Sequence, residues 1–144
     1  MSDQQKIENA IVEAREGSTL IALIELEGLI RSNNNPRILA WLGYCLAKEK
    51  KNYSRALVLC SSAVDSAPDN ADLYLALGRV FRLSGRRYQA LTALRKGLKM
   101  GRHELIVKEL NSMGLRKEPV FGSLDRANTL NIMAGRMRSR FKFR

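Results

Sequence analysis

The chain has 144 residues, enough for one domain with a modest core. Hydrophobic residues at 45% and charged residues at 27% exclude general disorder. Lys and Arg number 25 against 14 Asp and Glu, a net charge of +11 that points to an acidic partner, an RNA or an anionic membrane surface and says nothing about fold.

Met1 to Lys6 is polar and has no apolar core, so no signal peptide is expected. No stretch reaches the roughly 18 uncharged apolar residues of a membrane-spanning helix. Helical periodicity and capping residues predict six helices, at about 3–15, 18–32, 36–49, 53–66, 71–83 and 86–99. A seventh, at about 102–113, ends at Gly114. Asn35-Pro36 and Asn70-Ala71 each place a capping side chain before an apolar run. Gly17 and Gly85 fall between runs, where a helix takes a left-handed terminator. Gly43 and Gly78 lie inside predicted helices, which suits a close approach to Ala56 and Ala90. Cys45 and Cys60 take apolar positions and are expected as buried, reduced thiols, consistent with a cytoplasmic location.

The helices repeat. Ala22, Ala56 and Ala90 stand at 34-residue intervals, as do Leu29, Ala63 and Gly97. One unit reads Tyr74-x-x-Leu77-Gly78-x-x-Phe81, then Gly85, then Ala90-x-x-x-Leu94. The unit before it reads Leu39-x-x-Leu42-Gly43-x-x-Leu46, then Ala56-x-x-x-Cys60, Ala63 and Pro68. Gly43 and Gly78 are 35 apart, which places one extra residue in the turn 48–52. This pattern resembles the tetratricopeptide repeat. Residues 36–70 and 71–104 are clear repeats and 3–35 a degenerate first one.

The resemblance implies an all-α fold: an α-solenoid of about six or seven helices over residues 1–114, with 102–113 as a capping helix. It also implies a concave groove lined by the first helix of each pair. Carried over by helix face, the groove residues are Arg37, Ala40, Tyr44 and Lys48, then Asp72, Leu75, Arg79 and Arg82, with Trp41 at the edge. An extended peptide or partner helix would meet Tyr44 and Leu75, with Arg79 and Arg82 gripping its carboxylates. The structural alternative puts Trp41 between helices and the arginines on a solvated face. Ala40, Tyr44 and Leu75 stand where a C-terminal carboxylate clamp would want Lys or Asn, so chaperone-tail recognition is not expected.

Residues 115–144 form a basic C-terminal extension. Lys117-Glu118-Pro119 breaks helix, and Asn128 caps a last helix carrying Leu130, Ile132, Met133 and Met137. Burial of Val120, Phe121, Leu130 and Met133 calls for this segment to fold back over the solenoid, with a disordered tail as the alternative. The chain ends Arg136-Met137-Arg138-Ser139-Arg140-Phe141-Lys142-Phe143-Arg144. Cations alternating with Met, Ser and Phe suit strand addition to a protein, bases stacked on Phe, or an anionic membrane. A second basic cluster comprises Arg79, Arg82, Arg86, Arg87, Arg95, Lys96 and Lys99.

Charge is polarised along the chain. Residues 1–35 hold 3 basic and 6 acidic groups, net −3, while 71–104 hold 8 and 2, net +6. Such asymmetry fits head-to-tail self-association or a basic docking surface. His103 is the only histidine, so His-cluster catalysis is excluded, and Cys45, Cys60 and His103 are too few for a usual zinc site. No Gly-rich phosphate loop appears. The expected protein is a non-catalytic scaffold or adaptor without cofactor or metal, binding a protein or acidic peptide. The alternative is an RNA or anionic-membrane binder using the basic second repeat and the C-terminal tail.

Overall fold

Side-chain oxygens start four helices of the chain, whose residues 1–114 are described by a computed structural model. Ser2 Oγ accepts from the Gln5 N–H at 3.2 Å and opens α1 (Asp3–Glu16). After α2 (Thr19–Leu29), Asn35 Oδ1 accepts from Arg37 N at 2.8 Å and opens α3 (Pro36–Lys50), with Pro36 in its first turn. Asn52 caps α4 (Tyr53–Ser66) through Arg55 N at 3.3 Å, and Asn70 caps α5 (Ala71–Leu83) through Asp72 N at 3.0 Å. Two helices follow, α6 (Arg87–Met100) and α7 (Glu104–Ser112). Among the described residues there is no strand.

Short connections fold α1 with α2, α3 with α4, and α5 with α6 into hairpins. Each hairpin packs on the next, α3 against α1, α2 and α5, and α4 against α5. The first helices carry most of the core. In α3 every residue from Ala40 to Ala47 is buried, and in α5 every residue from Asp72 to Gly78. The second helices bury only a stripe, which is Ala56, Cys60 and Ala63 in α4. Residues 1–109 form one compact unit; 110–144 belong to another, of which the described part completes α7 and ends at Gly114.

Small residues set how closely the hairpins close. A Cβ on Gly43 would lie 2.9 Å from the Ala56 carbonyl oxygen, the close approach the sequence suggests. At Gly78 the neighbour is Leu94 rather than Ala90, with a would-be Cβ 2.5 Å from Leu94 Cδ2. Gly97 is closed in by Tyr74 Cβ and Ile106 Cδ1, both at 2.8 Å. Cys45 and Cys60 are free, buried thiols, and Cys60 Sγ donates to the Ala40 carbonyl at 3.3 Å. Burial pushes the Cys45 thiol up to about 12.

The largest boundary difference from the sequence reading is at the end of α2. Helix α2 stops at Leu29 rather than 32, because the chain turns at once: Ser32 N donates to the Leu29 carbonyl at 3.2 Å. The repeat also fixes a left-handed residue that composition hides. Gly17 (φ +104), Lys51 (φ +54) and Gly85 (φ +81) stand at 34-residue intervals, so Lys51 fills a position the other copies give to glycine. Lys51 N closes α3 by donating to the Ala47 carbonyl at 3.1 Å. A left-handed side chain costs about 1–2 kcal/mol, partly offset by glycine's larger unfolded entropy. Lys51→Gly is expected to raise stability by about 0.5–1 kcal/mol in urea unfolding. No gain would mean that this turn relaxes around the lysine.

A cleft on the first helices of the repeats

Asp72, in the first turn of α5, is a buried acid on a face rich in cations. Its carboxylate is only 9% exposed. Oδ2 accepts from Arg15 Nη2 at 2.8 Å and from Trp41 Nε1 at 2.8 Å. Oδ1 lies 2.9 Å from His103 Nε2, and Arg37 Nε stands 3.9 Å from Oδ2. Burial alone would raise the carboxyl pKa. The hydrogen bonds from Arg15, His103 and Trp41 outweigh it and hold the group below its ordinary value. Arg37 also forks onto Glu8 of α1, reaching Oε1 with Nη1 and Oε2 with Nη2. That hydrogen-bonded pairing lowers the Glu8 pKa and raises that of Arg37.

Two turns along α5, Arg79 is held from every side. Its Nε donates to Glu109 Oε1 at 3.0 Å, and its Nη1 to the Arg15 carbonyl at 3.1 Å, in the last turn of α1. The guanidinium sits 5.6 Å from the Trp41 ring centroid and 5.3 Å from that of Tyr44. The two rings meet edge to face at 5.7 Å. Arg82 Nη1 donates to Glu109 Oε2 at 2.7 Å, and its side chain is 39% exposed.

Above this floor opens a cleft of about 540 Å³. Arg15, Lys48, Arg79 and Arg82 supply four cations to its lining, against the carboxylates of Glu16 and Glu109. Tyr44 and Leu83 give it apolar contact. Lys48 is exposed at its mouth. Of the residues assigned by helix face, Tyr44, Lys48, Arg79 and Arg82 line the cleft together. Trp41 and Leu75 are fully buried and present no surface, and Arg37 is engaged with Glu8. The tail residues Arg136, Arg138, Arg140, Phe141, Lys142, Phe143 and Arg144, and the helix expected near 128–137, lie outside the described residues. Arg15, Glu16 and Glu109 were not in the sequence-derived set. Their signal is weak: a cation and an acid in the last turn of α1, and one of two acids on α7. Among the described residues no group of His, Cys, Asp and Glu could hold a metal ion, and no helix is long and apolar enough to cross a membrane.

Three helical hairpins followed by a seventh helix, without strands among the described residues, define an α-solenoid of tetratricopeptide-like repeats. A solved structure of a mutant O-GlcNAc transferase from Thermobaculum terrenum is similar, with a TM-score of 0.54 at 25% identity. The match covers 69% of this chain and 20% of that one, so this chain spans a small part of that protein. No protein-family model matches the chain, and no curated protein matches it.

Proposed function

We propose that the protein is a non-catalytic interaction scaffold that takes an acidic segment of a protein partner in the cleft of α1, α3 and α5. The observation that carries this reading is the lining: four cations against two carboxylates around an aromatic floor. The solenoid likeness supports a protein-interaction role at a coarse level. In this reading the exposed Lys48 pairs with a partner's carboxylates, and Arg82, half-exposed while bonded to Glu109, adds to the positive lining. Arg79 serves differently. Its ties to Glu109, Arg15, Trp41 and Tyr44 fix the floor, so reversing its charge would disturb the fold as well as the site.

The clean test is Lys48→Glu, which touches an exposed side chain. In fluorescence anisotropy with a labelled Glu/Leu peptide, affinity should fall about tenfold, equivalent to about 1.4 kcal/mol, with unchanged helicity. Equal binding by both proteins would remove the cleft as the site. The second reading is an RNA or anionic-membrane binder, favoured by the exposed cations Arg86, Arg95, Lys96 and Lys99 on and beside α6. A labelled RNA that binds more tightly than the peptide, with steep salt dependence, would move the function there.

A further inference from the structure

A different face of the molecule carries an unexplained apolar stripe. On α2, Leu20, Ile21 and Ile24 are 58%, 53% and 65% exposed. The repeat supplies its own control for this stripe. The residues 34 and 68 places further on are Ser54 and Tyr88, Arg55 and Gln89, and Val58 and Thr92, all likewise exposed. The fold therefore turns the same face of the second helix outward in every copy. In the later copies that face mixes Val58 and Tyr88 with polar residues, so nothing in the stacking of hairpins requires three aliphatic residues together on α2. Three adjacent exposed aliphatic residues mark a contact surface.

The occupant is indicated by charge and by shape. Glu25 and Glu27 are exposed beside the stripe, in the segment 1–35 whose net charge is −3. The opposite features stand on α5 and α6 of the same chain. A shallow, mainly apolar hollow of about 290 Å³ has Leu77, Phe81 and Tyr88 in its lining, together with Gln89, Thr92 and Lys96. That is about twice the volume of a cavity of ~150 Å³ that takes a benzene ring. Tyr88 is 80% exposed, and Arg95 and Lys99 are exposed alongside, in a segment of net charge +6.

We propose that two copies of this chain associate through these unlike faces, the Leu20–Ile21–Ile24 stripe of one seating in the Phe81–Tyr88 hollow of the other. Glu25 and Glu27 then face Lys96 and its neighbours, which fixes the direction of docking. Because the two faces differ, each bound copy keeps one face free, and association continues into a ring or a linear chain. The contact is separate from the cleft around Tyr44, so peptide binding there and self-association are independently measurable.

Sedimentation velocity of the full chain over a range of concentrations tests this. Ile24→Glu removes one face and Tyr88→Glu the other, both at exposed positions where circular dichroism should stay unchanged. The wild type should sediment faster as concentration rises, and each variant alone should remain monomeric. An equal mixture of the two variants should form a heterodimer and nothing larger, since only one intact pair of faces remains. A wild type that is monomeric throughout overturns the proposal. So does a mixture that stays monomeric, or association abolished by Ile24→Glu and untouched by Tyr88→Glu, which would mean α2 pairs with α2.

Discussion

Replacing Asp72 with alanine should cost about 3–5 kcal/mol of folding stability in urea unfolding, the largest effect of any single change on this face. The substitution strips a shared acceptor from three groups at once. Arg15 and Trp41 both donate to Oδ2 at 2.8 Å, and His103 lies 2.9 Å from Oδ1. The Trp41 N–H is left in a fully buried site, and the Arg15 charge in a site where its side chain is only 22% exposed. Asp72→Asn keeps the shape and one acceptor and should cost less. The network also sets the acid response. The folded carboxyl pKa lies below the ordinary 3.8. Its contribution is therefore complete above that value and is lost as pH falls through the folded pKa. Asp72→Asn should lose less stability than the wild type between neutral pH and the region below 3.8. Parallel acid curves would show that the carboxylate charge adds nothing beyond its hydrogen bonds.

Two glycine-to-alanine changes should act with opposite signs. A Cβ on Gly43 would sit 2.9 Å from the Ala56 carbonyl oxygen and 2.9 Å from Cys60 Sγ. The first of these is backbone and moves only if α3 and α4 separate. Overpacking of this kind costs about 1–3 kcal/mol, and alanine's helix propensity returns about 1 kcal/mol. Gly43→Ala should thus destabilise by up to about 2 kcal/mol. Gly28, near the end of α2, has nothing within 4 Å of a would-be Cβ, so Gly28→Ala should stabilise by about 0.5–1 kcal/mol. Chemical denaturation of both variants checks the pair. A neutral Gly43→Ala would mean that the α3–α4 contact has slack.

The difference between what was legible and what was not follows the range of the interactions. Asn35 and Asn70 cap helices through bonds to residues two places on, so a local pattern suffices to find those starts. The 34-residue spacing reveals the hairpins, because each copy must bury the same small residues against its neighbours. Lys51 is harder. Nothing in a lysine announces a positive φ, and only its register with Gly17 and Gly85 does so. The cleft mixes both kinds. Tyr44, Lys48, Arg79 and Arg82 share a helix face, which periodicity gives. The partners of Arg79 and Arg82 do not follow from it: Glu109 comes from α7, and the Arg15 carbonyl from α1. A long side chain selects among such acceptors by three-dimensional proximity, which linear spacing does not encode. Trp41 is buried for the same reason, since Asp72 of the following repeat accepts its N–H.

The carboxylate of Asp72 has a consequence for how the molecule opens. A solenoid ordinarily behaves as a row of neighbours, in which an end unit detaches while the middle persists. Here the donors come from the first hairpin at Arg15, the second at Trp41, and the approach to α7 at His103, all onto one residue of the third. Detaching the first hairpin removes a cation from a buried anion two repeats away, so the penalty falls on the middle of the row as well as its end. The described repeats should therefore open as a single cooperative unit rather than fray from one end.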